Sequence, residues 1–515
     1  MFPTKGQPGQ REGKDENLSI KMLGNRIHSD QTMPEYLIEF LLVFASAKQS
    51  DGSGVMRFHN AQEIAEGTLP FHVNPRVGLR RFIFYEHSKQ DSRSLMDTLA
   101  DLRMRSVLNS TAQNGTDDVL LIHDLLQSYS IITRNRGWYA QALLPVAPEL
   151  LLPDLQGIKK RQAMDGDYKD SYNHRQFDAI DDNPKIDAEF AFDKHNFLAR
   201  GGQVLYLHLL QPMALDNNLD IQYRHRLESY LCNMLKCSGE GLGLLANFVQ
   251  TEWESSRPLI SYDLKKFNMG MIRDEYMIRG PRFLDEITRF LSNNIHPITR
   301  IELISQGMVL SLLRIMQIVA HQQVHPNTPE PLWILDMSHM GGTSNIGRLA
   351  SSSYNAAYET FQSALNIICD KTDREERFKM IQTAKANSAD VFKRLAKEIK
   401  LVIPVRGAYE RFSLSESLMR YLVLSLVDPH TKITLDTFLD RLYDHFRMVI
   451  APAQYRRAIA DGSWTGDTNM ADYFEVNARE FQNFLKQCGF LRDLSDATAI
   501  VENPYEEVVI DEAAD

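Results

Sequence analysis

The sequence predicts a mainly α chain with minor β, an α+β multi-domain arrangement that ends in a winged-helix-like module. Three observations lead there. At 515 residues the chain exceeds what one compact core usually accommodates. Apolar residues recur at helical spacing through much of its length, as in Gln222–Leu235, Pro281–Ser292 and Arg300–His321. Between Ser413 and Val501, three helical patterns precede two short apolar runs around Ser495-Asp-Ala497, the order of three helices and a hairpin.

The first 20 residues are polar, and residues 1–30 are expected to form a disordered tail. A helical domain is expected over 31–155. It opens at Thr32-Met-Pro-Glu35, where Thr as N-cap and Glu three residues on make a capping box. The helix Glu35–Lys48 is apolar on most sides and should be buried, and Asp51-Gly-Ser-Gly54 breaks it. Amphipathic helices follow near Arg93–Leu108 and Asp117–Thr133, and the Leu-Pro segments after Leu143 mark an irregular exit.

Residues 156–193 read as an acidic linker or long loop, and 194–407 as a central, mainly helical domain. Arg200-Gly-Gly202 reads as a turn, and Gln203–Leu210 as a strand or a helix start. Helices are expected over Leu242–Glu254 and Arg348–Cys369, and over Asp373–Lys400 with a break near Asn387. Trp333–Met337 resembles a buried strand. The winged-helix-like module spans 408–501, with helices Ser413–Val427, Thr434–Phe446 and one within Ala471–Gln487, an insertion at Asp461–Asn469, and strands Phe490–Leu494 and Thr498–Val501. An acidic tail, 502–515, completes the chain.

Hydrophobic residues make up 43% and aromatics 9%, which excludes a mainly disordered protein. The net charge of −10 excludes a general polyanion binder. Residues 162–193 hold nine acids against three bases, and residues 502–515 six acids and no base; each carries −6, so the rest of the chain is close to neutral. Four cysteines fit neither a disulfide framework nor a paired C-x-x-C zinc site. The first 20 residues contain no apolar run for a secretion signal. The longest apolar stretches, Tyr36–Ala47 and Ile304–Ala320, are interrupted by Glu39 and Arg314 and fall short of the ~20 residues of a membrane span. A cytoplasmic location with no membrane partner is expected.

Gly342-Thr-Ser-Asn-Ile-Gly347-Arg348-Leu349 follows a strand and precedes a helix, the setting of a phosphate-binding loop, and makes Gly342, Gly347 and Arg348 candidate phosphate contacts. Arg348 and Leu349 stand where a working loop needs Lys and Ser/Thr, and Leu cannot hold magnesium, so nucleotide hydrolysis is not expected. His321 and His325 share a helix face, with Asp336 or His339 as conceivable third ligands, but no Glu lies between them to act as a base. Asp187 and Glu189 precede Lys194 at a spacing too wide for a nuclease motif. No catalytic constellation, metal site or cofactor follows.

Basic clusters lie at Arg76–Arg81 beside Phe82 and Phe84, at Arg134–Trp138, and at Lys393, Arg394, Lys397 and Lys400. They suit either phosphate contact or solvated ion-paired faces. In the C-terminal module, Arg479, Asn483 and Lys486 on the third helix and Arg492 on the hairpin are the candidate DNA-binding residues. Ten bases against twelve acids over 411–501 make the module a weak DNA binder by charge and leave protein docking equally open.

Three stretches, Met22–Thr32, Asn196–Gly202 and Phe412–Val423, together carry a resemblance in layout. The chain resembles non-ATPase subunits of bacterial multi-gene anti-phage cassettes, of the methylation-associated defence and phosphorothioation-dependent restriction kinds. The resemblance implies a non-catalytic, restriction-modification-like antiviral defence subunit. Its partner would be a cassette ATPase or nuclease subunit, with DNA as a second partner. It supplies no catalytic residue. The competing expectations are a divergent nuclease or nucleotide-binding enzyme, and a winged-helix transcriptional regulator.

Overall fold

A computed structural model of the chain describes residues 17–25, 27, 32–66, 69–74, 76–79, 104–127, 149, 151, 154–157, 190–196, 201–213, 218–237, 240–255, 264–269, 272–338, 344–495 and 498–509. These residues are mostly helical, with short strands gathered into two- and three-stranded sheets. The mainly α expectation with minor β is therefore met.

The helix Pro297–Val324 is the axis of the fold. From Leu303 onward apolar residues occur on every side of it, so no face can be left to water, and 300–320 are buried apart from Glu302. One cation deep inside it, Arg314, is fully buried and held locally. Its guanidinium lies 4.5 Å over the Trp333 ring and donates to the Pro331 carbonyl at 2.9 Å and to Gln317 at 3.3 Å. By length and composition this helix could cross a membrane, yet its apolar window is wholly covered by protein. Helices Met33–Ala45, Gly201–Met213, Asn345–Ile368, Ala389–Glu398 and Glu416–Leu426 pack around it.

The first of these starts as its sequence requires, with the Thr32 backbone N–H donating to the Glu35 carboxylate and Thr32 Oγ1 donating to the same carboxylate at 2.8 Å. It crosses helix Gly201–Met213 very closely. A Cβ on Gly202 would sit 2.5 Å from the Phe40 nitrogen and the Tyr36 carbonyl, and the Gly202 N–H donates to buried Glu39 at 2.6 Å. The Arg200-Gly-Gly202 turn is thus corrected: the glycines open a helix whose backbone touches its neighbour, and only a residue without a side chain permits that approach. Gln203–Leu210 lies inside the same buried helix. Asp373–Lys400 divides as expected into Arg374–Ala386 and Ala389–Glu398.

Of the acidic segment, 158–189 lies outside the described residues. Its flanks, Asp154–Gly157 and Phe190–Asn196, pair antiparallel, Asp154 opposite Asn196, so the two ends meet. The acidic C-terminal stretch is tied down as far as Val508. Its backbone bonds to His430, Asn294 and Ser292, and Tyr230 donates to Glu507 at 3.2 Å.

The C-terminal region contains helices Glu416–Leu426, Leu435–Phe446, Pro452–Ala460 and Tyr473–Gln487, one more than the sequence suggested. Thr434 caps the second, accepting the Thr437 N–H at 3.2 Å. Strands Leu491–Ser495 and Thr498–Glu502 form the expected hairpin, and Lys432–Thr434 joins the free edge of Thr498–Glu502. Trp333–Ile334 pairs in parallel with Met448–Val449, which lies between the second and third of these helices. The expected tail over 1–30 is corrected at Leu18–Leu23, a helix capped by Asn17 whose Leu18, Met22 and Leu23 are buried in the core. The buried apolar side chains from Leu18 to Val501 form one continuous cluster, flanked by a second in which Ile334 meets Val449, Tyr455 and Phe474.

Two buried histidines are held neutral. His59 has one ring nitrogen 2.8 Å from the Pro70 carbonyl and the other 3.1 Å from the Tyr206 hydroxyl. Burial pushes it down to about 4, and burial beside Arg279 pushes His208 well below its ordinary range. An unfolded histidine binds a proton near 6.5 and these folded ones refuse it, so stability is expected to fall as pH drops from about 6.5 toward 4. His59 alone would account for up to about 3 kcal/mol. Urea titrations of wild type and His59→Gln should therefore show the destabilisation caused by the substitution shrinking over that window; a pH-independent difference contradicts the assignment.

Candidate functional site

The helix Tyr473–Gln487 divides cleanly between an inner and an outer face. Phe474, Asn477, Phe481 and Leu485 recur at helical spacing and are buried. Phe474 stacks on Tyr455 at 4.6 Å, and Phe481 on Phe438 at 6.4 Å. Asn477 is the only polar member of this stripe, and its side chain is fully used. Its Nδ2 donates to the Leu335 carbonyl at 2.9 Å and the Ile450 carbonyl at 2.8 Å, while its Oδ1 accepts the Met337 N–H at 2.7 Å.

The outer face has three rows, each a seven-residue step along the helix. Val476 and Asn483 run along the middle. Arg479 and Lys486 form one edge, and Tyr473 and Glu480 the other. Arg479, Asn483 and Lys486 are all exposed, so three of the four sequence-predicted contacts share one surface. Tyr473 and Val476 remain 41% and 43% exposed on it, large apolar groups left to solvent beside the charges.

Arg492 does not join them. Its guanidinium is ion-paired with Glu502 at 2.5 Å, and Glu502 also holds Lys432 at 3.3 Å, so the hairpin presents a paired cation. Cross-strand register explains this pairing, because Arg492 lies opposite Ile500 and Glu502 is the next residue on the same face.

The glycine-rich segment is built as a capped helix start. Ser344 is the N-cap of Asn345–Ile368, and its Oγ accepts the Gly347 N–H at 3.0 Å. That amide would have to point at an anion in a phosphate loop. Gly347 is buried, Arg348 is exposed, Leu349 packs against the second apolar cluster, and Gly342 lies outside the described residues.

The other candidates are similarly occupied. His321 bonds Thr328 at 2.9 Å and His325 ends the central helix. Asp336 is held by Arg411 at 2.6 Å and by Ser338, and His339 lies outside the described residues. Among the described residues no group of three potential ligands could hold a metal ion. Lys393 pairs with Glu410 at 2.9 Å, Lys397 pairs with the same carboxylate, and Arg394 pairs with Glu398 at 3.1 Å. Arg76 bonds Asn247 at 2.6 Å. Residues 80–85, 134–138 and 187–189 lie outside the described residues.

Sequence reasoning missed the buried polar pairs. Asp336 and Arg411 meet across 75 residues of chain, and Glu286 and His445 across 159, and no local pattern announces such contacts. No protein-family model, curated protein or solved structure matches the chain.

With the Gly347 amide capped and Leu349 packed inward, the purified chain is expected to hydrolyse neither ATP nor GTP above background in a phosphate-release assay. Turnover that Arg348→Ala abolishes would make 342–349 a working phosphate loop.

Proposed function

We propose that this chain is a non-catalytic, cytoplasmic subunit of a bacterial antiviral defence system. It docks a partner ATPase or nuclease through a winged-helix-like C-terminal module. The layout resemblance supports the defence setting. The order of helix, strand, helices and hairpin supports the winged-helix-like reading, as does Lys432–Thr434 on the edge of the hairpin. The observation that carries docking is the outer face of Tyr473–Gln487. Exposed Tyr473 and Val476 beside charges of both signs suit a protein surface better than a phosphate backbone.

DNA contact is a second reading, favoured by the exposed Arg479 and Lys486 edge. Its strength is limited because Arg492 is already paired. The two readings separate experimentally. With the products of the neighbouring genes co-expressed, Val476→Asp in the full-length protein is expected to weaken capture of the proposed ATPase or nuclease partner at least tenfold. Arg479→Ala with Lys486→Ala should leave association within about twofold and lower the salt slope of weak DNA binding by roughly one unit per lost phosphate contact. Retained association in Val476→Asp, together with tight sequence-specific DNA binding that the double variant abolishes, would replace docking by DNA readout.

A further inference from the structure

Helix Asn345–Ile368 forms one wall of an open groove of about 580 Å³, which Tyr409 also lines. Arg348, Ser351, Ser352, Asn355 and Glu359 line it at steps of three and four, a single helix face. From Arg348 to Glu359 that face is about 16 Å long at 1.5 Å per residue. An extended chain of four or five residues, at about 3.3 Å each, covers the same distance.

The charges in this groove are unlike their neighbours. Lys393, Lys397 and Arg394 are each paired with a carboxylate. Arg348 and Glu359 make no ion pair among the described residues, and three helical turns keep them from reaching each other. Asn355, between them, is exposed and offers both donor and acceptor. Tyr409 is 68% exposed and has a left-handed backbone, φ +63°, a conformation that costs a tyrosine about 1–3 kcal/mol. The adjacent Glu410 carbonyl accepts from Ser351 at 2.9 Å, which fastens this loop to the groove wall. Residues held in such backbone conformations cluster at active sites, ligand clamps and switch regions.

We propose that the groove binds an extended peptide segment of a partner protein, with an acidic side chain against Arg348 and a basic side chain against Glu359. Ser352 and Asn355 face the peptide backbone, and Tyr409 covers it. A single cation with a carboxylate at the far end is poorly suited to a polyanion, so a peptide is favoured over a nucleic acid strand. The inference uses none of the residues of the C-terminal outer face and stands independently of the function proposed above.

The test is panning of phage-displayed random heptapeptides on the full-length protein. Enriched peptides are expected to carry Asp or Glu and Lys or Arg three to five positions apart in a fixed order. Arg348→Glu should weaken a selected synthetic peptide at least tenfold, and Tyr409→Gly, which keeps the left-handed backbone, several-fold. Arg348→Glu combined with Glu359→Arg should select the opposite charge order. These positions are on the surface, and matching thermal melts would confirm that the variants fold. Enrichment without paired charges, or selected peptides that bind Arg348→Glu unchanged, would overturn the proposal. So would fluorescein-labelled dT8 binding that Arg348→Glu abolishes and Glu359→Ala strengthens.

Discussion

One side chain ties three segments of this fold together. Asn477 sits on the inner face of the helix Tyr473–Gln487 and holds backbone groups from two separate segments, 335–337 and 450. These groups extend the parallel pair of Trp333–Ile334 with Met448–Val449, whose edges would otherwise end in buried, unpaired amides and carbonyls. An unsatisfied buried backbone group costs about 1–3 kcal/mol, so losing three bonds is severe. The outer face of the helix, which carries Tyr473, Val476 and Arg479, is held in place by this anchor on its inner face.

Other buried polar groups repeat the same device. Fully buried Glu286 accepts from Arg279 at 2.6 Å and lies 2.9 Å from His445, joining helix Gly280–Leu291 to helix Leu435–Phe446. Asn503 donates to Asn293 at 2.7 Å and to the Val427 carbonyl at 2.8 Å, locking the end of the hairpin to the body. Apolar burial supplies most of the stabilisation but accepts many arrangements. Directional bonds between distant segments select one of them, since any shift strands a buried polar group. The C-terminal helices and sheet are therefore a continuation of the central core.

Local signals made much of this architecture legible. The capping box at Thr32, the cap at Thr434, the break near Asn387 and the hairpin around Ser495 all depend on neighbours in sequence, and all lie where those residues indicate. Most of what escaped was non-local. Gly202 reads as a turn because its purpose, close contact with the helix of Glu39, lies 163 residues away in the chain. Helix Pro452–Ala460 is short, and its buried stripe of Tyr455 and Ala458 has meaning only against Ile334 and Phe474. Arg479, Asn483 and Lys486 share a face as their spacing implies, whereas the pairing of Arg492 with Glu502 needed the sheet register. The glycine-rich setting of Arg348 reads as a phosphate loop, and the cap from Ser344 that alters its meaning is an equally local feature.

The functional account depends on the C-terminal helix being presented rigidly by the body. Hydrogen exchange on full-length Asn477→Ala tests this most directly. The account predicts that amide protection falls together in 333–337, in 448–450 and in Tyr473–Gln487, because one side chain supports all three. Protection lost from the helix alone, with 333–337 exchanging as in the wild type, would show a separable module and contradict the account.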